Sequence, residues 1–212
     1  MALTEAQIQA AFDAEVGILS SLATGATKTL WFNEAQGRLE WYKPKTSTLA
    51  WANAASSVAL PSDFILLDRV VADVGTRLPA FSVHGKNLVT NGDYNAVGAG
   101  GAKLLYYADW PDVTSGLASE LPRAGDSACI LYALARFFRL LTSNRAYYKR
   151  YATLVGANAV PISDLDAISN AYYNEFVDAK NDLPVVPEGI ALRQLRLGSG
   201  GTNRPGAQVG AA

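Results

Sequence analysis

Residues 103–141 read KLLYYADWPDVTSGLASELPRAGDSACILYALARFFRLL, and the change of pattern within this stretch decides the fold. The stretch opens on a short apolar run bounded by turn residues, which is typical of a β-strand over 102–108. From about residue 122 the apolar residues recur at helical spacing along one face: Ile130, Leu134, Phe137, Phe138 and Leu141. The stretch therefore predicts a strand followed by a long helix.

Two further helices are predicted after this one, so that helices occupy about 122–182. Asn144 breaks the first and can cap the second, while Gly156 and Pro161 end the second. Ser163 with Asp166 resembles a capping box at the start of the third. The two apolar faces consist of Tyr147, Tyr148, Tyr151, Leu154 and Val155 in one helix and Leu165, Ile168, Tyr172 and Phe176 in the other.

Upstream, a helix over 4–22 is predicted to precede an inserted β region over about 28–110. Thr4 with Gln7 forms a capping-box pattern, followed by a stripe of Ile8, Phe12, Val16 and Leu19. Residues 30–42 suggest a hairpin in which residues 33–37 form a five-residue turn. Residues 91–101, with four glycines, suggest a loop, and the other strand candidates are 57–60, 64–74, 78–83, 86–90 and 102–108.

These elements predict an α+β fold: a small bundle of about four helices with an inserted antiparallel β subdomain and an extended C-terminal tail. Residues 1–182 form the single predicted domain, and 183–212 form the tail. Three prolines and several glycines in the tail separate apolar and basic residues, namely Val185, Val186, Ile190, Leu192, Arg193, Leu195, Arg196 and Leu197. Such a segment either becomes ordered on a partner or packs loosely at its own domain.

Composition excludes several classes of function. The 212 residues carry 18 basic and 19 acidic side chains, a net charge of −1 that argues against general nucleic-acid or anionic-membrane binding. We expect no transmembrane helix, no signal peptide and synthesis in the cytoplasm. One cysteine, Cys129, and one histidine, His84, leave no internal disulfide and no Cys/His zinc cluster, so no metal or cofactor is expected.

Four features were weighed as possible sites of catalysis. His84 and Ser82 lack any nucleophile motif around them, and Cys129 suits a helix core. The segment 98–103 has the wrong spacing for a phosphate loop and precedes a strand rather than a helix. Asp109 and Asp112 could act as paired carboxylates, but Asp and Pro at a strand end are ordinary turn residues. We therefore expect no catalytic residues and no enzymatic activity.

Charge is distributed unevenly along the predicted C-terminal helices. Residues 127–163 contain five basic residues and no acid, whereas 164–182 contain five acids and one base. The two sets can pair within one bundle, or the basic face of one subunit can meet the acidic face of the next in a cyclic oligomer. The candidate inter-subunit residues are Arg136, Arg139, Arg145, Lys149, Arg150, Asp164, Asp166, Glu175 and Asp178.

Three stretches resemble the head-to-tail adaptor (connector or neck) proteins of tailed bacteriophages. Leu60-Pro61-Ser62-Asp63-Phe64, followed by Val70-Val71, resembles that family's LP-x-D-F start of a strand. Residues 103–111 resemble its tyrosine-bearing strand, and 119–122 with 133–141 resemble the helix that follows. The resemblance covers roughly residues 3–182, and it brings no family active site with it.

The resemblance implies a structural virion protein at the head–tail junction. Such a protein forms a ring, usually of twelve copies, that joins the portal protein ring to a tail or nozzle/stopper protein and lets genomic double-stranded DNA pass with non-specific contact. The tail residues named above would then contact the portal. Two other readings of the sequence stay open. One is a β-rich carbohydrate- or protein-binding module with Trp31, Trp41 or Trp51 exposed; the other is an enzyme with a carboxylate site at Asp109 and Asp112.

Overall fold

The computed structural model describes residues 3–49, 57–72, 81–90 and 102–183, and it confirms the α+β fold class. The contacts between residues group the chain into two compact units. The helical unit comprises Met1–Trp41 and Trp110–Val185, and the β unit includes Tyr42–Asp109. The β unit is thus inserted between helices, as the sequence predicts, but it begins at Tyr42 rather than near residue 28, because residues 25–38 are helical. The predicted tail, apart from Leu183, lies outside the described residues, as does the predicted loop at 91–101.

The helical unit contains five α-helices: α1 (Glu5–Val16), α2 (Gly25–Arg38), α3 (Arg123–Ser143), α4 (Arg145–Val155) and α5 (Ile162–Asn181). A 3-10 turn, Gly17–Leu22, follows α1, and a shorter one, Gly156–Asn158, follows α4. The predicted capping box at Thr4 and Gln7 is present. Asn144 ends α3 and caps α4 as predicted, accepting a 2.9 Å hydrogen bond from the Ala146 amide.

Helix α3 supplies much of the core of this unit. Its Phe137 side chain is fully buried and meets Phe12 of α1 edge to face, with 5.5 Å between ring centroids. Edge-to-face aromatic pairs of this kind stabilise a core beyond the area they bury. Tyr132, one turn earlier, packs in a second cluster, where its ring centroid lies 5.2 Å from that of Phe176 on α5.

The predicted hairpin over residues 30–42 is wrong, because residues 25–38 form helix α2. Trp31, Phe32 and Ala35 are buried on one side of this helix, whereas Leu30 is 64% exposed on another. The apolar run at 30–32 suits a strand by local preference, but burial against α1 and α3 favours the helix. The predicted capping box at Ser163 is also wrong, since α5 begins directly after Pro161.

The β unit contains two antiparallel three-stranded sheets. One sheet has the order β1-β6-β3, where the strands are Lys43–Leu49, Ala102–Ala108 and Phe64–Ala72. The other has the order β2-β5-β4, with strands Ser57–Ala59, Asn87–Thr90 and Phe81–His84. All strands except β1 overlap the predicted ones. Buried residues from both sheets form one cluster: Leu60, Leu67, Leu88, Leu104, Tyr106 and Ala108.

Candidate interaction surfaces

Two of the stretches that carry the family resemblance meet at Asp63. Its carboxylate accepts hydrogen bonds from Lys45 Nζ of β1 at 2.5 Å and from the Tyr106 hydroxyl of β6 at 3.0 Å. Phe64 stacks on the Tyr106 ring, with 5.9 Å between centroids. The hydrogen bond from Lys45 is the main cause of a lowered Asp63 pKa, and burial followed by the Asp63 contact raises the pKa of Tyr106. Asp63 therefore links the start of β3 to side chains of both β6 and β1.

A second carboxylate, Glu34 of α2, links α2 to α3. It accepts hydrogen bonds from the Tyr132 hydroxyl at 2.7 Å and from Arg38 at 3.0 Å, and Arg136 Nε lies 3.6 Å away. Burial opposes ionisation of Glu34, but these donors and charges outweigh it and lower its pKa. Burial and the Glu34 contact raise the pKa of Tyr132 to about 12. The partners of Glu34, namely Arg38, Tyr132 and Arg136, line a cavity of about 300 Å³ together with Arg139, Ser169, Asn170 and Tyr173.

Part of the predicted inter-subunit set pairs inside one chain. Arg139 forms a 2.9 Å ion pair with Asp166, which also accepts a hydrogen bond from Thr142, and Arg136 lies against Glu34. Asp164 lies in the first turn of α5, where its negative charge interacts favourably with the helix dipole, and it accepts a hydrogen bond from the Ser163 hydroxyl. These charges have structural roles within the helical unit.

The remaining cations of the set form an exposed basic surface on α4, which we define by Arg145, Lys149, Arg150 and Leu154. Within the part of the chain that the structure describes, none of the three cations has a carboxylate within 4.0 Å. Arg150 lies over the Tyr147 ring, 5.9 Å from its centroid. Beside Lys149, Arg150 and Leu154 lies a groove of about 370 Å³, whose other lining residues include Ser21 and Leu22.

Of the remaining acids of the set, Glu175 lines a different groove, between α1, α3 and α5. Its volume is about 390 Å³, and we define this acidic groove by Glu15 and Glu175 with an apolar floor of Ile130, Leu131 and Leu134. Asp178 is exposed three residues after Glu175 on α5. Burial, then the charges of Glu15 and Glu175, raise the pKa of Tyr172 in the same groove. Among the described residues no basic group pairs with these three acids. Glu15 did not belong to the predicted set, because its distance from α5 in sequence hides its proximity in space.

The residues weighed for catalysis do not assemble into a site. His84 is exposed at the end of β4, and no described side chain forms a hydrogen bond with it, while Ser82 is buried. Cys129 is fully buried, and burial raises its thiol pKa well above the usual value, which agrees with the predicted core role. Asp109 and Asp112 are exposed; over the described ranges no three metal-binding side chains cluster. Of the segment 98–103, only 102–103 lie within the described residues, as part of β6.

One buried carboxyl group, Asp126 in the first turn of α3, was not singled out from the sequence. It accepts a 2.6 Å hydrogen bond from Ser119, whose hydroxyl in turn accepts from the Leu121 amide at 3.2 Å. Its second oxygen, Oδ2, has no described partner, and burial raises the pKa of the group. The only sequence signal is an acid near a helix start, which ordinarily indicates an exposed residue.

Two of the three tryptophans that would support a carbohydrate platform, Trp31 and Trp41, pack in the helical unit rather than on a sheet. Trp31 is 7% exposed, and Trp41 packs against Trp110, whose indole N–H donates to the Trp41 carbonyl at 2.6 Å. Trp51 lies outside the described residues, as do the eight predicted portal-contact residues between Val185 and Leu197.

A scan against models of protein families and a search of curated protein sequences gave no match to this chain. Over the described ranges, no helix has both the length and the hydropathy needed to cross a bilayer. The family resemblance of the sequence, together with the contacts described above, is therefore the basis for a functional proposal.

Proposed function

We propose that this protein is a head-to-tail adaptor of a tailed bacteriophage. In this role, copies of the chain form a ring, twelve in the usual arrangement, at the head–tail junction of the virion. The ring joins the portal protein to a tail or nozzle/stopper protein, and genomic DNA passes through it without sequence-specific contact. The function is one of assembly, and the proposal assigns it no enzymatic activity.

One observation carries the proposal: two of the three stretches that resemble the adaptor family meet in a β unit inserted into a helical bundle. Asp63 of the LP-x-D-F stretch accepts the Tyr106 hydroxyl of the tyrosine-bearing strand, and Phe64 stacks on the same ring. Residues 60–64 and 103–111 are far apart in sequence, and the antiparallel pairing of β3 with β6 brings them together. The order of helices, β insertion and helices supports the same function.

Co-sedimentation with the cognate portal ring tests the proposal. Leu183 is 6% exposed in the helical core, so the informative truncation ends after Leu183 rather than before it. We expect the full chain to bind the portal stoichiometrically and the truncated chain to lose that binding. A full-length variant with Arg193→Glu and Arg196→Glu should bind more weakly, while Lys86→Glu with Arg123→Glu, an equal charge change at exposed sites, should not.

Two outcomes would contradict this proposal in different ways. Failure of the full chain to bind the portal would remove the adaptor function itself. Undiminished binding by the truncated chain would keep the function but move the portal contact away from residues 184–212.

A further inference from the structure

We infer that the basic surface on α4 of one copy docks against the acidic groove between α1, α3 and α5 of a second copy. This inference rests on the proposed ring, and it names the two surfaces that meet between neighbouring subunits. Because the two surfaces differ, the contact is head to tail, which closes into a ring when the rotation between copies permits it.

Charge pairing within the chain narrows the possible contacts. Arg136, Arg139 and Asp166 already have partners of opposite sign at 2.9–3.6 Å, so a neighbour would add little at these positions. Arg145 and Lys149 on α4, and Glu175 and Asp178 on α5, have none among the described residues. The charges left over are therefore segregated, with cations on one helix and acids on another.

The spacing along each helix places these residues in neighbouring positions. On α4, Arg145 lies one turn before Lys149 and Arg150 one turn before Leu154, and Lys149, Arg150 and Leu154 line the same groove. Glu175 and Asp178 are three residues apart on α5, with Glu15 of α1 across the groove. The acids can meet the cations while the apolar floor receives Leu154, which is 46% exposed.

A second copy fits both surfaces better than nucleic acid does. Phosphates could approach the α4 cations, but they would be repelled by the acidic groove and would leave its apolar floor in water. A second copy covers both surfaces through a single kind of contact, and complementary charge also sets its orientation.

Charge reversal tests the inference on the full-length protein. Lys149→Glu and Glu175→Lys each reverse one charge of one surface, and both side chains are exposed, so the fold should tolerate them. Lys86→Glu and Asp112→Lys make the same charge changes at exposed positions outside both surfaces. Sedimentation velocity over a range of concentrations, at low and at high salt, measures self-association of each variant.

We expect wild-type protein to self-associate more strongly at low salt, because exposed ion pairs are screened as ionic strength rises. Each surface variant should raise the dissociation constant by about tenfold or more, since one attractive pair of charges is replaced by two juxtaposed like charges. The double variant Lys149→Glu/Glu175→Lys, and an equimolar mixture of the two single variants, should restore association. The two control variants should behave like wild type.

Several results would overturn the inference. These are a wild-type protein that stays monomeric throughout, surface variants that associate like the controls, or a double variant that is weaker than either single one. Portal binding separates this failure from failure of the proposed function. If the chain binds the portal but its self-association is unchanged by Lys149→Glu, the protein remains an adaptor with a different subunit contact. Absence of portal binding alongside charge-dependent self-association would retain the contact and reject the adaptor.

Discussion

At the residue scale, the same chemical group has different consequences according to its surroundings. Asp63 and Glu34 each accept hydrogen bonds from a tyrosine hydroxyl and a cation, and their pKa values are lowered. Asp126 accepts one hydroxyl in a buried site without a cation, and its pKa is raised. Desolvation therefore dominates at Asp126, whereas ion pairing and hydrogen bonds dominate at the other two.

The raised pKa of Asp126 predicts an unusual dependence of stability on pH. The folded state holds this proton more tightly than the unfolded state, whose carboxyl has the ordinary pKa of 3.8. As pH rises from 3.8 through the folded-state pKa, the Asp126 contribution to the free energy of unfolding should therefore fall. Chemical unfolding of wild type and of Asp126→Asn across this window measures the contribution as a difference.

Glu34→Gln is a control for which the free energy of unfolding should depend on pH in the opposite direction. The Glu34 pKa lies below its usual 4.5, so its stabilising contribution is present above that pH and is lost as pH falls through the folded-state value. A wild-type minus Asp126→Asn difference that is flat, or that grows with pH, would contradict burial of an ionisable group at Asp126.

At the element scale, α2 shows how tertiary contacts override local preference. The run Leu30-Trp31-Phe32 suggests a strand, and Gly37 suggests a turn. In the structure, Phe32 and Ala35 are fully buried, and Asn33 exchanges two 3.0 Å hydrogen bonds with the Val113 backbone. These contacts stabilise the helical conformation, and the hydrogen bonds join residues about eighty positions apart in sequence. Strand β1 shows the opposite case. Its polar sequence and Pro44 do not suggest a strand, but both are tolerated at the edge of a sheet, which is where β1 lies.

The start of α2 provides a direct test of the helix. Thr24 caps it by accepting a 3.2 Å hydrogen bond from the Thr27 amide. We expect Thr24→Ala to lower the free energy of unfolding by about 1 kcal/mol, since an unsatisfied donor remains at the helix terminus. Thr24→Ser keeps the accepting oxygen and should stay close to wild type. Chemical denaturation followed by circular dichroism measures both, and equal stabilities for Ala and wild type would argue against α2.

At the scale of the whole molecule, the helical core reaches to Leu183, one residue beyond the predicted domain boundary. Leu183 is buried in the same cluster as Ile8, Val113 and Phe176, which come from three separate parts of the sequence. Packing therefore carries the domain at least to Leu183, beyond the boundary that composition predicts.

This boundary predicts different stabilities for two truncated proteins. A chain ending at Asp182 should be less stable than one ending at Leu183 by about 1.5–3 kcal/mol, the usual value of a buried leucine side chain. Thermal and chemical unfolding measure the difference. Leu183→Ala in the full chain should weaken the protein in the same direction, whereas Leu117→Ala, at a side chain that is 41% exposed, should change little. Equal stability of the two truncated proteins would place Leu183 outside the core.

The sequence by itself determined the α+β class, the presence of a β insertion and its C-terminal limit, five of the six described strands and the capping box at Thr4. Hydrophobic periodicity and caps are local signals, so they can be read without knowing what packs against them. Only the tertiary structure decided α2, the contact of Asp63 with Tyr106, the burial of Asp126 and the division of the charged residues into paired and unpaired sets. Each of these depends on whether a group distant in sequence lies close enough to pack, to form a hydrogen bond or to pair its charge. A local sequence pattern carries no information about that.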